Sequence, residues 1–250
     1  MVETTFPTYA GPLPVVDTPA MIEVDRAMIE DYRIELIQMM ENAGRNLAHL
    51  TRARFLDGDP RGKLIVVLAG SGGNGGGALV TARRLSCWGA DVVVVLGQSK
   101  DQMTTVPRHQ LDIIERMGVT VWNASRLAQH RLNAAAVLDG LIGYSLSGDP
   151  RDDPARLINW ANQQGGPIIS LDVPSGYDAA NGVIRDPAIR ATATLTLALP
   201  KPSLQAPDAR DTVGELYLAD ISVPPGLYAH PPLHLSVEPI FAQSDIVRIV

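Results

Sequence analysis

Leu64-Ile65-Val66-Val67-Leu68-Ala69, followed at once by Gly70-Ser71-Gly72-Gly73-Asn74-Gly75-Gly76-Gly77-Ala78, is the stretch that decides the fold. Six apolar residues without a break are of strand length, and a strand apolar on both faces belongs in the middle of a parallel sheet. The glycines make a loop, and a helical stretch is expected to follow through Val80, Leu85 and Trp88. Downstream the alternation repeats. A second strand is expected at Asp91–Leu96 and shorter ones at 119–122, 135–138, 168–171 and 192–199, with helices over about 107–117 and 153–164. Strands alternating with helices of this length predict an α/β protein, a three-layer α/β/α sandwich on a mostly parallel central sheet.

Upstream, Met21, Val24 and Met28, then Leu36, Met39, Met40 and Ala43, fall at helical spacing. They predict two helices with a break near Arg33, the first capped by Asp17 or Thr18 and the second reaching about residue 55. Residues 1–17 read as an extended arm, 18–227 as one α/β domain without repeat or linker, and the proline-rich 228–250 as an irregular tail packed on it or on a second subunit. In that tail His230 and His234 are separated by prolines, which break any helix that would make them a metal pair.

Composition narrows the function. The 250 residues carry 21 basic against 27 acidic side chains, a formal charge of −6 without a Lys/Arg run, which disfavours nucleic acid as a partner. The single cysteine, Cys87, excludes an internal disulfide and a Cys-based zinc site, and its neighbours Leu85 and Trp88 predict a buried, inert thiol. The N-terminus has no basic and apolar leader, and the apolar runs fall far short of a membrane span, so a soluble cytoplasmic protein is expected.

Glycines 70, 72 and 75 match G-x-G-x-x-G in a strand–loop–helix context, where a helix N-terminus offers N–H groups to an anion. The ribose-binding carboxylate of a dinucleotide fold is missing, since Gly97-Gln98-Ser99 follows the second strand. No Gly-Lys-Ser/Thr closes the loop either, so hydride transfer and a P-loop are both disfavoured. Two more strand ends carry polar clusters, 138–149 and 170–178, and in an open parallel sheet such ends converge on one crevice. Asp172, at the mouth of a core strand, is expected to be partly desolvated and suited to proton transfer.

Taken together, these motifs resemble the YjeF N-terminal family, the NAD(P)H-hydrate epimerases, which includes apolipoprotein A-I-binding protein. Met39–Arg45 is similar to its "MENAGR" helix, residues 72–78 to its "GNNGGDG" loop, and Leu171–Asp178 to its "DxPSGxD" segment. Asp139 with Gly143–Asp149, Ala198–Pro202 and Ala219-Asp220-Ile221 match its remaining segments, so the likeness runs over about 18–227. It implies a Rossmann-like fold, commonly a homodimer, and an isomerase of nicotinamide nucleotide repair. Such enzymes interconvert the R and S forms of hydrated NADH or NADPH, and a companion dehydratase uses the S form.

Carried over, the resemblance makes Gly73, Asn74, Gly75, Gly76 and Gly77, then Gly143, Tyr144, Ser145, Leu146, Ser147, Gly148 and Asp149, and Asp172, the substrate-binding residues. Asn74, Asp139 and Ser175 become ligands of a potassium ion, whose hardness suits their oxygens. Asp172 becomes the acid–base, and Asp172→Asn is expected to leave folding intact while turnover drops about 10²–10⁴-fold. Three positions depart from the pattern: Gly77 replaces the loop's aspartate, Gly73 its first asparagine, and Ser147 a Lys or Arg. The runner-up reading is therefore a catalytically altered relative, a nucleotide-binding or dimeric protein-interaction module.

Overall fold

A central strand buried on both faces needs a helical layer against each, and the computed structural model, which describes residues 6–249, supplies both. The strands are β1 (Thr8–Tyr9), β2 (Leu64–Ala69), β3 (Asp91–Leu96), β4 (Thr120–Asn123), β5 (Ala136–Gly140), β6 (Ile168–Leu171), β7 (Tyr177–Asp178), β8 (Val183–Ile184), β9 (Ala193–Leu197), β10 (Glu215–Ala219) and β11 (Ile246–Ile249). The helices are α1 (Thr18–Glu30), α2 (Leu36–Leu50), α3 (Gly73–Cys87), α4 (Thr105–Arg116), α5 (Ala124–Leu127), α6 (Asp152–Asn162), α7 (Arg210–Val213) and α8 (Pro225–Ala229). Nine strands form one sheet in the order β1-β11-β10-β9-β6-β5-β2-β3-β4, and β7 with β8 forms a separate hairpin. Only β11 against β10 is antiparallel in the large sheet.

Alternation along β2 separates the two cores. Ile65, Val67 and Ala69 pack on the side of α1 to α4, while Val66 and Leu68 pack with α5 and α6. Asp17 caps α1 by accepting the Ala20 N–H at 2.8 Å, and a capping box between Glu35 and Gln38 starts α2. Arg33 lies between them at φ +58°, the left-handed turn that breaks the helical run. The methionines of the stripe, Met21, Met28, Met39 and Met40, are all buried. α2 crosses α3 closely enough that a Cβ on Gly44 would stand 2.4 Å from the Gly77 carbonyl, which explains a glycine in the middle of α2.

Three expectations change. The tail is not irregular to its end: Ile246–Ile249 enters the large sheet as β11, because its three apolar residues bury themselves beside β10. The arm likewise contributes β1, held on β11 with the Arg248 N–H on the Pro7 carbonyl at 2.8 Å. Cys87 is exposed rather than buried, since Thr81, Ala82 and Leu85 face the core at that end of α3 and residue 87 falls on the outer face.

Candidate active site

From β2 the chain winds outward through β3 and β4, then crosses back to β5 on the other side of β2. Loops leaving the carboxyl ends of β2 and β5 therefore diverge, and the crevice between them is where an open α/β sheet takes a ligand. Here it is an open cleft of about 1040 Å³. Its walls are the glycine loop 70–75, residues 97–99 after β3, the loop after β5 and the start of α6. The glycine loop is pinned beneath: the Gly70 N–H bonds the Gly140 carbonyl at 3.0 Å, and a Cβ on Gly75 would fall 1.9 Å from the Gly70 oxygen. Gly72 occupies the N-cap of α3 and offers no side-chain cap, so the first N–H groups of α3 remain for a ligand.

Of the residues expected to bind substrate, Gly73, Asn74, Gly75, Gly143, Tyr144, Ser145, Leu146, Ser147 and Asp149 line this cleft. Gly76 and Gly77 do not. They are buried inside α3, where added Cβ atoms would meet Met40 Sδ at 2.4 Å and Leu171 Cδ2 at 2.7 Å. The missing loop aspartate is thus matched by a leucine that fills the space facing residue 77. Gly148 is not among the cleft-lining residues and turns the chain at φ +73°. The charge absent at Ser147 has a counterpart four residues on, because Arg151 lines the same cleft and forms no ion pair among the described residues.

The three oxygen donors Asn74, Asp139 and Ser175 are brought together behind the loop. Asp139 is fully buried and accepts from Ser175 Oγ at 2.5 Å, Ser170 Oγ at 2.8 Å, Ser175 N–H at 2.9 Å and Leu141 N–H at 3.3 Å. Burial pushes its carboxyl above the usual range, against the lowering effect of those bonds. Ile142 ties the group together, its N–H on Ser175 Oγ at 2.9 Å and its carbonyl 3.5 Å from the Asn74 amide. A carboxylate, a hydroxyl and a carboxamide make an oxygen-only set, the chemistry a hard monovalent cation requires. Among the described residues no cluster of three His, Cys, Asp or Glu exists that could hold a metal ion.

Asp172 opens elsewhere, into a small apolar recess of about 90 Å³ beside the cleft, walled by Met21, Met39, Met40 and Ile221 among others. It sits at φ +65°, a left-handed conformation rare for a residue other than glycine and characteristic of functional sites. Its Oδ1 accepts from Lys201 Nζ, from Leu197 N–H at 3.2 Å and from Thr196 Oγ1 at 3.3 Å. Oδ2 has no hydrogen bond among the described residues. Lys201 is only 1% exposed, so Asp172 is its counter-ion and not a lone desolvated carboxylate. That overturns the expectation that Asp172→Asn leaves folding intact, because the change strands a buried ammonium. The sequence signal for Lys201 was present, a lysine held between Pro200 and Pro202 after β9, but its role needed the fold. Asp25, reached from α1, was missed altogether: it lines both recess and cleft and accepts the Tyr144 O–H at 2.7 Å.

A family model described as the YjeF-related protein N-terminus matches residues 36–203, a stretch containing the glycine loop, the oxygen cluster, Asp172 and Lys201. The chain belongs to the YjeF-related N-terminal family. Relatives of this YjeF-type domain include a protein of Dehalogenimonas lykanthroporepellens named NAD(P)H-hydrate epimerase, 42% identical over 85% of the chain and 84% of its own length. Another of that name, from Truepera radiovictrix, is 34% identical over 88% of the chain and 93% of its length. A bifunctional NAD(P)H-hydrate repair enzyme of Salinibacter ruber is 34% identical, and the chain spans 41% of it. The crystal structure of the yeast protein YNL200c superposes on the YjeF-type fold with a TM-score of 0.77 at 25% identity, covering 94% of this chain and all of the other.

Proposed function

We propose that this YjeF-type domain is an NAD(P)H-hydrate epimerase, an isomerase that inverts the hydroxyl-bearing C6 of the hydrated nicotinamide ring. The observation that carries the reading is the junction of two compartments: an open cleft floored by a glycine loop and helix N-terminus, and an apolar recess holding Asp172. The first suits the pyrophosphate of a dinucleotide, with Arg151 supplying positive charge. The second suits its reduced ring, which it would hold against methionine, leucine and isoleucine side chains. Names carried by relatives that match over most of their own length support the same reaction.

In the mechanism Asp172, the counter-ion of Lys201, first takes up a proton from solvent, the ring nitrogen's lone pair expels the C6 hydroxyl as that proton passes to it, and water returning to C6 gives up its proton to a carboxylate. Lys201 holds the Asp172 carboxylate in place through Oδ1 and leaves Oδ2 toward the recess. Asn74, Asp139 and Ser175 would hold a potassium ion, which supplies a fixed positive charge at the strand ends when bound. The reading extends to a cytoplasmic homodimer working with a dehydratase, and relatives named bifunctional NAD(P)H-hydrate repair enzymes, of which this chain spans about two fifths, fit a second activity beside this one. Among the described residues no helix is long and apolar enough to cross a membrane.

The test starts from R-enriched NADHX with an S-specific dehydratase in excess. Adding the protein should speed recovery of NADH absorbance beyond the spontaneous rate, with potassium accelerating it. No acceleration by the folded protein would exclude epimerisation.

A further inference from the structure

The recess holds a second carboxylate, and the mechanism above leaves it idle. Asp25 is carried by α1, outside the stretch matched by the family model, and lines both recess and cleft, so it marks where the two join. Asp172 lines the recess alone and so lies deeper. Asp25 is partly buried among apolar residues of α1 and α2 and forms no ion pair among the described residues. Its neighbour Arg26 is occupied by Glu23, Glu30 and Asp31. Among the described residues the one hydrogen bond to the Asp25 side chain comes from the Tyr144 phenol, and burial raises its carboxyl above the usual range. A carboxylate so placed is costly to keep charged, since the nearby Lys201 ammonium is already paired with Asp172.

The chemistry of inversion gives such a group a task. A bound ring cannot present both faces to one carboxylate, yet the hydroxyl must leave from one face and water enter from the other. We propose that Asp25 is the second proton-transfer group of this site, serving one face of the ring while Asp172 serves the other, with Tyr144 as the positioning residue that fixes Asp25. This rests on the epimerase reading. In one direction the acid on the first face protonates the hydroxyl, the C6–O bond breaks, water leaves, and the ring nitrogen's lone pair forms a C=N⁺ bond. Water then bonds to C6 on the second face, the C=N⁺ electrons return to nitrogen, and the second carboxylate takes the proton. One proton is given and one taken, so the two carboxyls exchange protonation states, and solvent resets them. The reverse direction uses the same groups in swapped roles.

The experiment follows two events separately on purified R and S isomers in water labelled with heavy oxygen: interconversion, and exchange of the C6 hydroxyl read by mass spectrometry. The wild-type chain should do both. Asp25→Asn should slow interconversion by about 10²–10⁴-fold while one isomer still exchanges its hydroxyl near the wild-type rate, because Asp172 alone can release and re-add water on its own face. Asp172→Asn combined with Lys201→Met should show the mirror pattern, with exchange surviving only in the other isomer. Tyr144→Phe keeps both carboxylates, and should lower kcat several-fold more than it raises KM, with exchange intact in both isomers. Interconversion by Asp25→Asn at the wild-type rate overturns the proposal. So does a parallel loss of exchange in both isomers, the signature of a merely structural role. Absence of interconversion in the wild-type chain would instead sink the epimerase reading itself, a result distinct from either.

Discussion

Asp139 and Asp172 end adjacent strands, both are buried, and each receives hydrogen bonds from its surroundings, but their surroundings use them differently. Asp139 spends both oxygens on four donors from β6 and the loops after β5 and β6, and it does not line the cleft. Asp172 gathers its protein partners on Oδ1 and leaves Oδ2 toward the recess. Burial alone therefore does not identify a reactive carboxylate. Unused hydrogen-bonding capacity pointed at an accessible, apolar space does, and only one of these two aspartates has it.

The comparison can be broken most decisively at Asp172. Asp172→Asn should cost about 3–5 kcal/mol of stability by stranding Lys201, on top of the loss of turnover, and adding Lys201→Met should restore the stability but not the activity. Denaturant unfolding and the coupled dehydratase assay read the two quantities. A single variant as stable as the wild type would show that the ion pair does not hold the site. At the cleft mouth, Arg151→Ala should weaken substrate binding about ten- to a hundredfold, the worth of a charge-assisted hydrogen bond, raising KM while kcat holds. An unchanged KM would remove Arg151 as the substitute for the cation absent at Ser147.

Asp139→Asn probes the oxygen cluster. The Ser170 hydroxyl can turn to accept from the new amide, but the Ser175 backbone N–H cannot, so one buried donor is orphaned at about 1–3 kcal/mol. Thermal unfolding should show that drop, and a larger one would mean that the whole cluster unlocks. The smallest effect serves as a control remote from both aspartates. Burial first, and then Arg52, Arg45 and Arg84, hold His49 below its ordinary value of 6.5. The unfolded chain therefore takes up a proton near 6.5 that the folded chain resists, so stability falls as pH drops from 6.5 through the lowered folded value. His49→Gln should flatten that slope in urea midpoints measured across the window, leaving turnover unchanged.

Much of this was legible in the chain because local pattern and tertiary role coincide there. The run 64–69 is a strand wherever it is placed, since both its faces are apolar, and β3 and β6 likewise begin and end where the sequence places them. The loop expected from the glycine run is confined to residues 70–72, because Gly73 already begins α3, and Gly75 is a glycine because a Cβ there would meet the Gly70 carbonyl. Gly77, a substrate contact by the resemblance, is buried inside α3 and is not among the residues lining the cleft. Its environment is set by Leu171 and by Gly44, residues distant in sequence and adjacent only after α2, α3 and β6 pack.

The sequence by itself determined the α/β class, the central strands, the crevice-forming loops and the family, because hydrophobic period and short motifs are local properties of the chain. Tertiary structure alone decided which carboxylates are free to act. Lys201 meets Asp172 across 29 residues and Tyr144 meets Asp25 across 119, and a carboxyl's chemistry is set by whatever charge, donor or apolar wall lies within a few ångströms, however far away it was encoded.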